Sequence, residues 1–226
     1  DDRFLGVTDL VWNNPGNPSG ENTSDTSAQS EQTSYQIFKE IGVHYNYRRY
    51  IHLFVNGSQR STTSNRPGNF IFEDSQQPNG DGIAEWSPDD TGGSLLKIED
   101  WFEFPDNGHD FKANNDADLT RRINVINGTA IINPAPYRFM WRLRSRGAGD
   151  SAIESDAFND MLNLVSPAGS TDSSAINVPA VDSIIDYEQW MRIFACQHTV
   201  GNWDSYGFDR GKNGYAYKGA NGKFNH

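Results

Sequence analysis

The chain has 226 residues, enough for one sizeable domain, and only 35% of them are hydrophobic, so a modest, aromatic-rich core with long polar loops is expected. Its formal net charge of −11 argues against nucleic acid as a general partner and against an anionic membrane surface, because both are held by basic patches. Cys196 stands alone, which excludes an intrachain disulfide, and no apolar run reaches the length of a membrane span.

Residues 13–33 are rich in Asn, Gly, Ser, Thr and Pro with almost no apolar side chains, so the first 34 residues are expected to form a polar, partly disordered segment. The remainder, 35–226, is expected to form one domain. Tyr35–Ile41 reads as a short helix stopped by Gly42. Tyr45–Val55 alternates apolar with polar residues and reads as a strand, with Asn56-Gly57 as a hairpin turn. Asn69–Asp74 is a second strand, Asn79–Gly93 a polar loop, and Ser94–Phe104 a third strand. Asp106–Asp118 is another polar loop. Ala130–Ile132 is a short apolar run. Tyr137–Arg142 alternates like a strand, yet its composition allows a helix.

Beyond Asp150 the apolar period becomes helical. Asp156–Val165 sets Phe158, Met161, Leu162 and Val165 on one face. A longer helix is predicted over about Val181–Val200, ended by Gly201. A strand-like alternation, Tyr215–Lys218, follows. Strands first, helices after and a short hairpin last predict an α+β arrangement, without the alternation of a doubly wound sheet.

Three Asn-x-Ser/Thr triplets, at Asn22, Asn56 and Asn127, fit the glycosylation pattern, which is short enough to arise by chance. The Asp/Asn cluster Asp106, Asn107, Asp110, Asn114, Asn115, Asp116, Asp118 offers hard oxygen ligands suited to a structural Ca²⁺. It lacks the Gly and closing Glu of an EF-hand, so a solvated loop is the plainer reading. The five histidines show no metal-binding spacing.

The residues best placed for chemistry lie near the end of the chain. Asp204, flanked by Asn202 and followed by Asn213, is a carboxylate in a Gly- and aromatic-rich loop. Such a loop suits phosphoryl transfer, where Asp takes a hydroxyl proton and Asn holds a magnesium ion. Equally, Asn202 and Asp204 suit a helix exit or a turn. Lys97, inside an apolar and acidic strand, can aim its ammonium at nucleotide phosphates or pair with Glu99 on the same edge. Glu73 is a carboxylate able to steady Lys97, or a charge guarding an edge strand.

Taken together, three segments resemble the CotH-type family of atypical protein kinases. The first is Arg48-Arg49-Tyr50-Ile51-His52-Leu53-Phe54-Val55-Asn56-Gly57 with Phe70-Ile71-Phe72-Glu73-Asp74. The second is Gly93-Ser94-Leu95-Leu96-Lys97. The third and most specific is Val200-Gly201-Asn202-Trp203-Asp204-Ser205-Tyr206-Gly207 with Lys212-Asn213-Gly214-Tyr215-Ala216-Tyr217-Lys218, similar to that family's "Asn-x-Asp … Asn-aromatic" signature. The resemblance implies a reduced protein-kinase-like fold, with a strand-rich N-terminal part followed by a helical C-terminal part and ATP bound between them. It implies that Lys97 contacts ATP phosphates, steadied by Glu73. Asp204, with Asn202 beside it, would be the catalytic and metal-proximal carboxylate, and Asn213 a ligand of Mg²⁺ or Mn²⁺. The implied reaction is transfer of the ATP γ-phosphoryl group to a protein Ser or Thr.

Two departures accompany it. Phe208–Gly211 looks like an insert between Asp204 and Asn213. The family's metal-binding Trp-Asp motif after the last strand is not met before His226, so the chain is expected to be a fragment of a longer parent, with little activity alone. The alternative is a non-catalytic structural or adhesion module of a surface or secreted protein, which the acidity and the Asn/Ser/Thr-rich loops also suit; a secreted or surface location is mildly favoured on the same grounds. A carbohydrate-binding sandwich would explain the aromatics but not the helices after Asp150.

Overall fold

The computed structural model describes residues 10–13, 29–61, 70–99, 117–119, 121–147, 156–165, 176–202, 204–207 and 211–226. Its architecture is mixed α and β with antiparallel sheets, an α+β arrangement. The chain divides into two packed units, Asp1–Trp86 and Ser87–His226.

In the first unit, β1 (Val11–Asn13), β5 (Phe72–Ser75) and β2 (Arg48–Ile51) form a three-stranded antiparallel sheet with β5 in the centre. Helix α1 (Ser30–Glu40) buries Phe38, and Gly42, at φ 72°, releases the chain from it. The short strands β3 (Phe54–Val55) and β4 (Ser58–Gln59) make a hairpin whose turn residues Asn56 and Gly57 both have positive φ, as a type I′ turn demands.

The stretch expected to be a loop over Asn79–Gly93 contains instead helix α2 (Gly80–Trp86). Asn79 caps it, its side-chain oxygen accepting from the backbone N–H groups of Asp81 and Gly82, and Ile83 is buried. Two glycines in seven residues hide this helix from propensity; the Asn79 cap and burial of Ile83 decide it.

The second unit is built on a four-stranded antiparallel sheet in the order β11 (Phe224–Asn225), β10 (Gly214–Lys218), β6 (Ser94–Ile98), β9 (Trp141–Ser145). Its two faces differ. Leu96, Ile98, Ala216 and Trp141 join the core with Tyr137, Met140, Phe158, Met161, Val165 and Trp190. Lys97 alternates to the opposite face, where its cross-strand neighbours are Tyr215 on β10 and Arg142 on β9.

The ambiguous segment at Tyr137 resolves as both elements in succession: α3 (Ala135–Met140) and then β9, the change falling where Trp141 enters the sheet opposite Ile98. A hairpin of β7 (Ile123–Ile126) and β8 (Thr129–Ile132) turns on Asn127-Gly128, again with positive φ at both residues. The apolar run Ala130–Ile132 is its second strand.

Helix α4 (Asp156–Leu162) lies within the helical stretch expected there. The single long helix expected over Val181–Val200 is instead two, α5 (Val178–Asp182) and α6 (Tyr187–Val200). The break has a cause. Ile185 bridges to Phe224, the Phe224 N–H donates to the Ile184 carbonyl and the Asp186 N–H to the Phe224 carbonyl, so β11 pins the chain there. The Asp186 carboxylate then caps α6 by accepting from the Gln189 N–H.

No helix among the described residues is long and apolar enough to cross a membrane. The Asp/Asn cluster read as a possible Ca²⁺ loop lies outside the described residues except for Asp118, whose carboxylate pairs with Arg122 at 2.9 Å.

Candidate functional site

The loop bearing Asp204 leaves the end of α6 in a fixed way. Gly201 takes the left-handed conformation, φ 69°, so its N–H reaches the His198 carbonyl and the next N–H, of Asn202, reaches the Gln197 carbonyl. This is a Schellman ending, and glycine adopts its left-handed residue without steric cost. The Asn202 amide turns back on the helix, donating to Gln197 Oε1 at 2.7 Å.

Two side chains anchor the loop beyond Asn202. Ser205 is fully buried and donates to the Asn202 carbonyl at 2.6 Å. Tyr206 inserts its ring among Trp141, Trp190 and Phe194, with centroids 5.6–6.0 Å apart. Burial there pushes the Tyr206 hydroxyl far above its ordinary pKa, with Asp118 adding to the effect, so it stays protonated throughout the working range. Gly207 closes the loop at φ 88°, its carbonyl accepting from His198 Nε2; a Cβ at this position would collide with the Phe194 ring.

Asp204 is thus held on a short arch between the helix and the sheet, and its carboxylate faces the start of β10. The Lys212 ammonium stands 3.0 Å from Asp204 Oδ1. The two make an ion pair but not a hydrogen bond, and among the described residues Oδ1 is shielded from solvent without a hydrogen-bond partner. Asn213 Nδ2 donates both to the Asp204 carbonyl, at 2.7 Å, and to Oδ2, at 3.1 Å. Asn213 achieves this from a left-handed backbone, φ 54°, which Asn tolerates better than most residues. Both of its partners are acceptors, so its amide nitrogen must face Asp204 and its carbonyl oxygen turns away.

Lys97 lies one strand over. Its register partner Tyr215 is two residues beyond Asn213, which puts the backbones of Lys97 and Asn213 about 8 Å apart by ordinary strand spacing. The Lys97 ammonium pairs with Glu99 Oε1, and the Arg142 guanidinium pairs with Glu99 Oε2. Glu99 is buried, while both cations keep about a third of their side-chain surface exposed.

The candidate site residues therefore group unevenly. Asp204 and Asn213 are in direct contact, and Lys97 is on the neighbouring strand at the same end of the sheet. Asn202 is adjacent in sequence but directs its amide at Gln197. Glu73 belongs to the first unit, where it is buried and pairs with Arg48 at 2.9 Å; the carboxylate on Lys97 is Glu99. Burial lifts the Glu73 carboxyl above the usual carboxylate range, with Arg48 opposing.

Lys212 and Arg142 were not singled out from the sequence. The Lys97-x-Glu99 spacing, which puts both side chains on one face of a strand, was the legible signal for the pairing.

A carboxylate oxygen and an amide oxygen are hard donors of the kind Mg²⁺ or Mn²⁺ takes. Here, however, Oδ1 faces the Lys212 ammonium, Oδ2 accepts from Asn213 Nδ2 and the Asn213 oxygen turns away, so the two residues fit a cation only with the Asn213 amide turned over and Lys212 displaced. Among the described residues no three His, Cys, Asp or Glu side chains converge on one point. No protein-family model matches the chain, and a search of curated proteins finds no match either.

Proposed function

We propose that the second unit is the core of a phosphoryl-transfer module of protein-kinase-like design, acting on ATP and a protein Ser or Thr. The observation that carries this reading is the Asp204 carboxylate, held between Lys212 and Asn213 on an anchored loop, with Lys97 on the adjacent strand. An acceptor hydroxyl presented to Asp204 would give its proton to that carboxylate as its oxygen bonds to the γ-phosphorus and the bond from that phosphorus to the departing ADP oxygen breaks. Without a cation Asn213 fixes the carboxylate's orientation through Oδ2, and Lys97 would balance phosphate charge from the neighbouring strand. With the Asn213 amide turned over and Lys212 displaced, Asp204 and Asn213 would hold a divalent cation, which when bound neutralises charge on the transferred group. Lys212 compensates the carboxylate's charge in the absence of nucleotide. The test is Mg²⁺-dependent consumption of ATP by the full-length protein. Asp204→Ala is expected to lower it by about 10²-fold or more. Turnover at the wild-type rate in that variant removes Asp204 from its assigned role.

A second reading, a non-catalytic adhesion module, draws support from the β7–β8 hairpin, whose Ile123, Val125, Ile126 and Ile131 are all exposed. Apolar side chains clustered on a short hairpin suit a binding surface. Glycan or protein binding that survives Lys97→Ala and Asp204→Ala together would favour it.

A further inference from the structure

We propose that Asn56 and Asn127 are acceptors of N-linked glycans, carried on two matching hairpin turns where the sugars shield the apolar strands beside them. The proposal goes beyond the phosphoryl-transfer reading and does not depend on it. Of the three Asn-x-Ser/Thr triplets, the one at Asn22 lies outside the described residues, and the structure puts the other two in the same kind of place. Asn56-Gly57-Ser58 turns β3 into β4, and Asn127-Gly128-Thr129 turns β7 into β8. In each, Asn and Gly are the two turn residues, at φ 52° and 77° in the first and 52° and 78° in the second. The hydroxyl residue opens the return strand, opposite Val55 in one hairpin and Ile126 in the other. All three residues of both triplets are exposed, and a Cβ added at Gly57 or Gly128 would meet nothing within 4 Å. Both tips therefore have room for a bulky, solvated sugar.

Asn-Gly pairs elsewhere serve the fold. Asn79 caps α2, Asn213 holds Asp204, and Asn221 accepts from the Lys223 N–H. Two places beyond them stand Asp81, Tyr215 and Lys223, so none is an acceptor triplet. Among these turns the pattern is confined to the two-residue hairpins. The strands beside them supply a second reason. Among the described residues each hairpin is a sheet of two strands, with open edges. Phe54 and Val55 are 60% and 40% exposed beside Asn56, and Val125 and Ile126 are 67% and 53% exposed beside Asn127. Apolar side chains on open strand edges invite pairing with another chain, and a hydrated glycan at the tip obstructs that approach.

The modification is a group transfer from a lipid-diphosphate-linked oligosaccharide, catalysed by the transferase of the secretory pathway. The Asn Nδ2 bonds to the anomeric carbon of the first sugar. The bond from that carbon to the diphosphate oxygen breaks, its electron pair leaves with the lipid diphosphate, and Nδ2 gives up one proton to the transferase.

The experiment is expression of the full-length protein through the secretory pathway of a eukaryotic cell, together with a control glycoprotein. Glycans are then released by amidase in heavy-oxygen water and the peptides are read by mass spectrometry. Heavy oxygen marks an Asn that carried a glycan and separates it from spontaneous deamidation at Asn-Gly. The label is expected at both Asn56 and Asn127. Replacing Asn would disturb a turn that favours Asn at positive φ, so the variants are Ser58→Ala and Thr129→Ala, which keep the turn and remove the hydroxyl. Each should abolish the label at its own site and leave the other intact. Amidase treatment of the folded protein should lower the temperature at which light scattering sets in.

Protein retained in the cell is analysed in the same way as secreted protein. If Asn56 and Asn127 are unlabelled while the control carries its glycan, the proposal is overturned. Label that persists in Ser58→Ala and Thr129→Ala overturns recognition through the triplets. An unchanged scattering onset overturns the shielding role and leaves the two acceptors standing.

Discussion

The two units each contain a carboxylate paired with an arginine across antiparallel strands, and the two pairs are built for different purposes. In the first unit both partners are buried: Glu73 and Arg48 have side chains only 3% and 10% exposed. The Arg48 guanidinium is further enclosed by Glu31 and by the Tyr35 ring 4.7 Å away. In the second unit Glu99 is equally buried, but its two cations stand a third open. An ion pair this far withdrawn from solvent serves the fold. In the second cluster the carboxylate is inside and its cations lie partly at the surface.

The largest expected effect lies on the enclosed pair. Arg48→Ala strands the Glu73 charge in the interior, and we expect a loss of about 3–5 kcal/mol in urea unfolding. Arg142→Ala, at the open cluster, should cost about 1 kcal/mol or less, since Lys97 still compensates Glu99. Equal losses at the two sites would erase the distinction.

Next in size is Gly207→Ala, which places a Cβ against the Phe194 ring on a backbone that glycine alone adopts freely. It should cost about 2 kcal/mol and disturb the Asp204 arch without touching any charged group. The readout is a melting shift together with weaker nucleotide binding.

Asn202→Ala comes third, at about 1 kcal/mol, through loss of the hydrogen bond to Gln197 at the end of α6. If Asn202 serves the helix alone, nucleotide binding should follow stability and show no separate loss.

The smallest effect is a pH dependence peculiar to the first unit. Burial raises the Glu73 carboxyl in the folded state, so the native protein binds its proton more tightly than the unfolded chain does. The contribution to stability is complete below the ordinary carboxylate pKa and is lost as pH rises through the raised value. Unfolding midpoints followed upward from the carboxylate range should show this fall. Glu73→Gln should remove it, and an unchanged slope in that variant would assign the titration elsewhere. Arg48, Glu31 and Gln32 face this carboxyl, and the electrostatic influence of Glu31 works in the same direction as burial.

Local signals carried much of the fold. Asn56-Gly57 and Gly201 announced a turn and a helix end that the structure contains, because the positive φ they adopt is strongly selective for these residues. Asn127-Gly128 carried the same turn signal, but its flanking strands were only half recognised. The break between α5 and α6 was written as Asp186 followed three residues later by Gln189, a helix-start pattern. It was obscured because the apolar period runs on through Ile184 and Ile185, and the deciding contact comes from Phe224, some forty residues away.

The site followed the same division. Asp204 and Asn213 were legible because they lie within nine residues on one loop. Of the two carboxylates named for Lys97, strand alternation pointed to Glu99, which pairs with it, whereas Glu73, to which the resemblance pointed, pairs with Arg48. Arg142 depends on the pairing of β6 with β9, which no local pattern encodes.

The most direct test of the Asp204 assignment is the binding of Mn²⁺ in the presence of a non-hydrolysable ATP analogue, followed by electron paramagnetic resonance on the wild-type chain and on Asp204→Asn. The account predicts a nucleotide-dependent bound-Mn²⁺ signal in the wild type, and affinity weaker by at least about tenfold in the variant, which keeps its shape but loses the carboxylate charge. An Asp204→Asn protein that holds Mn²⁺ and nucleotide as tightly as the wild type would contradict it.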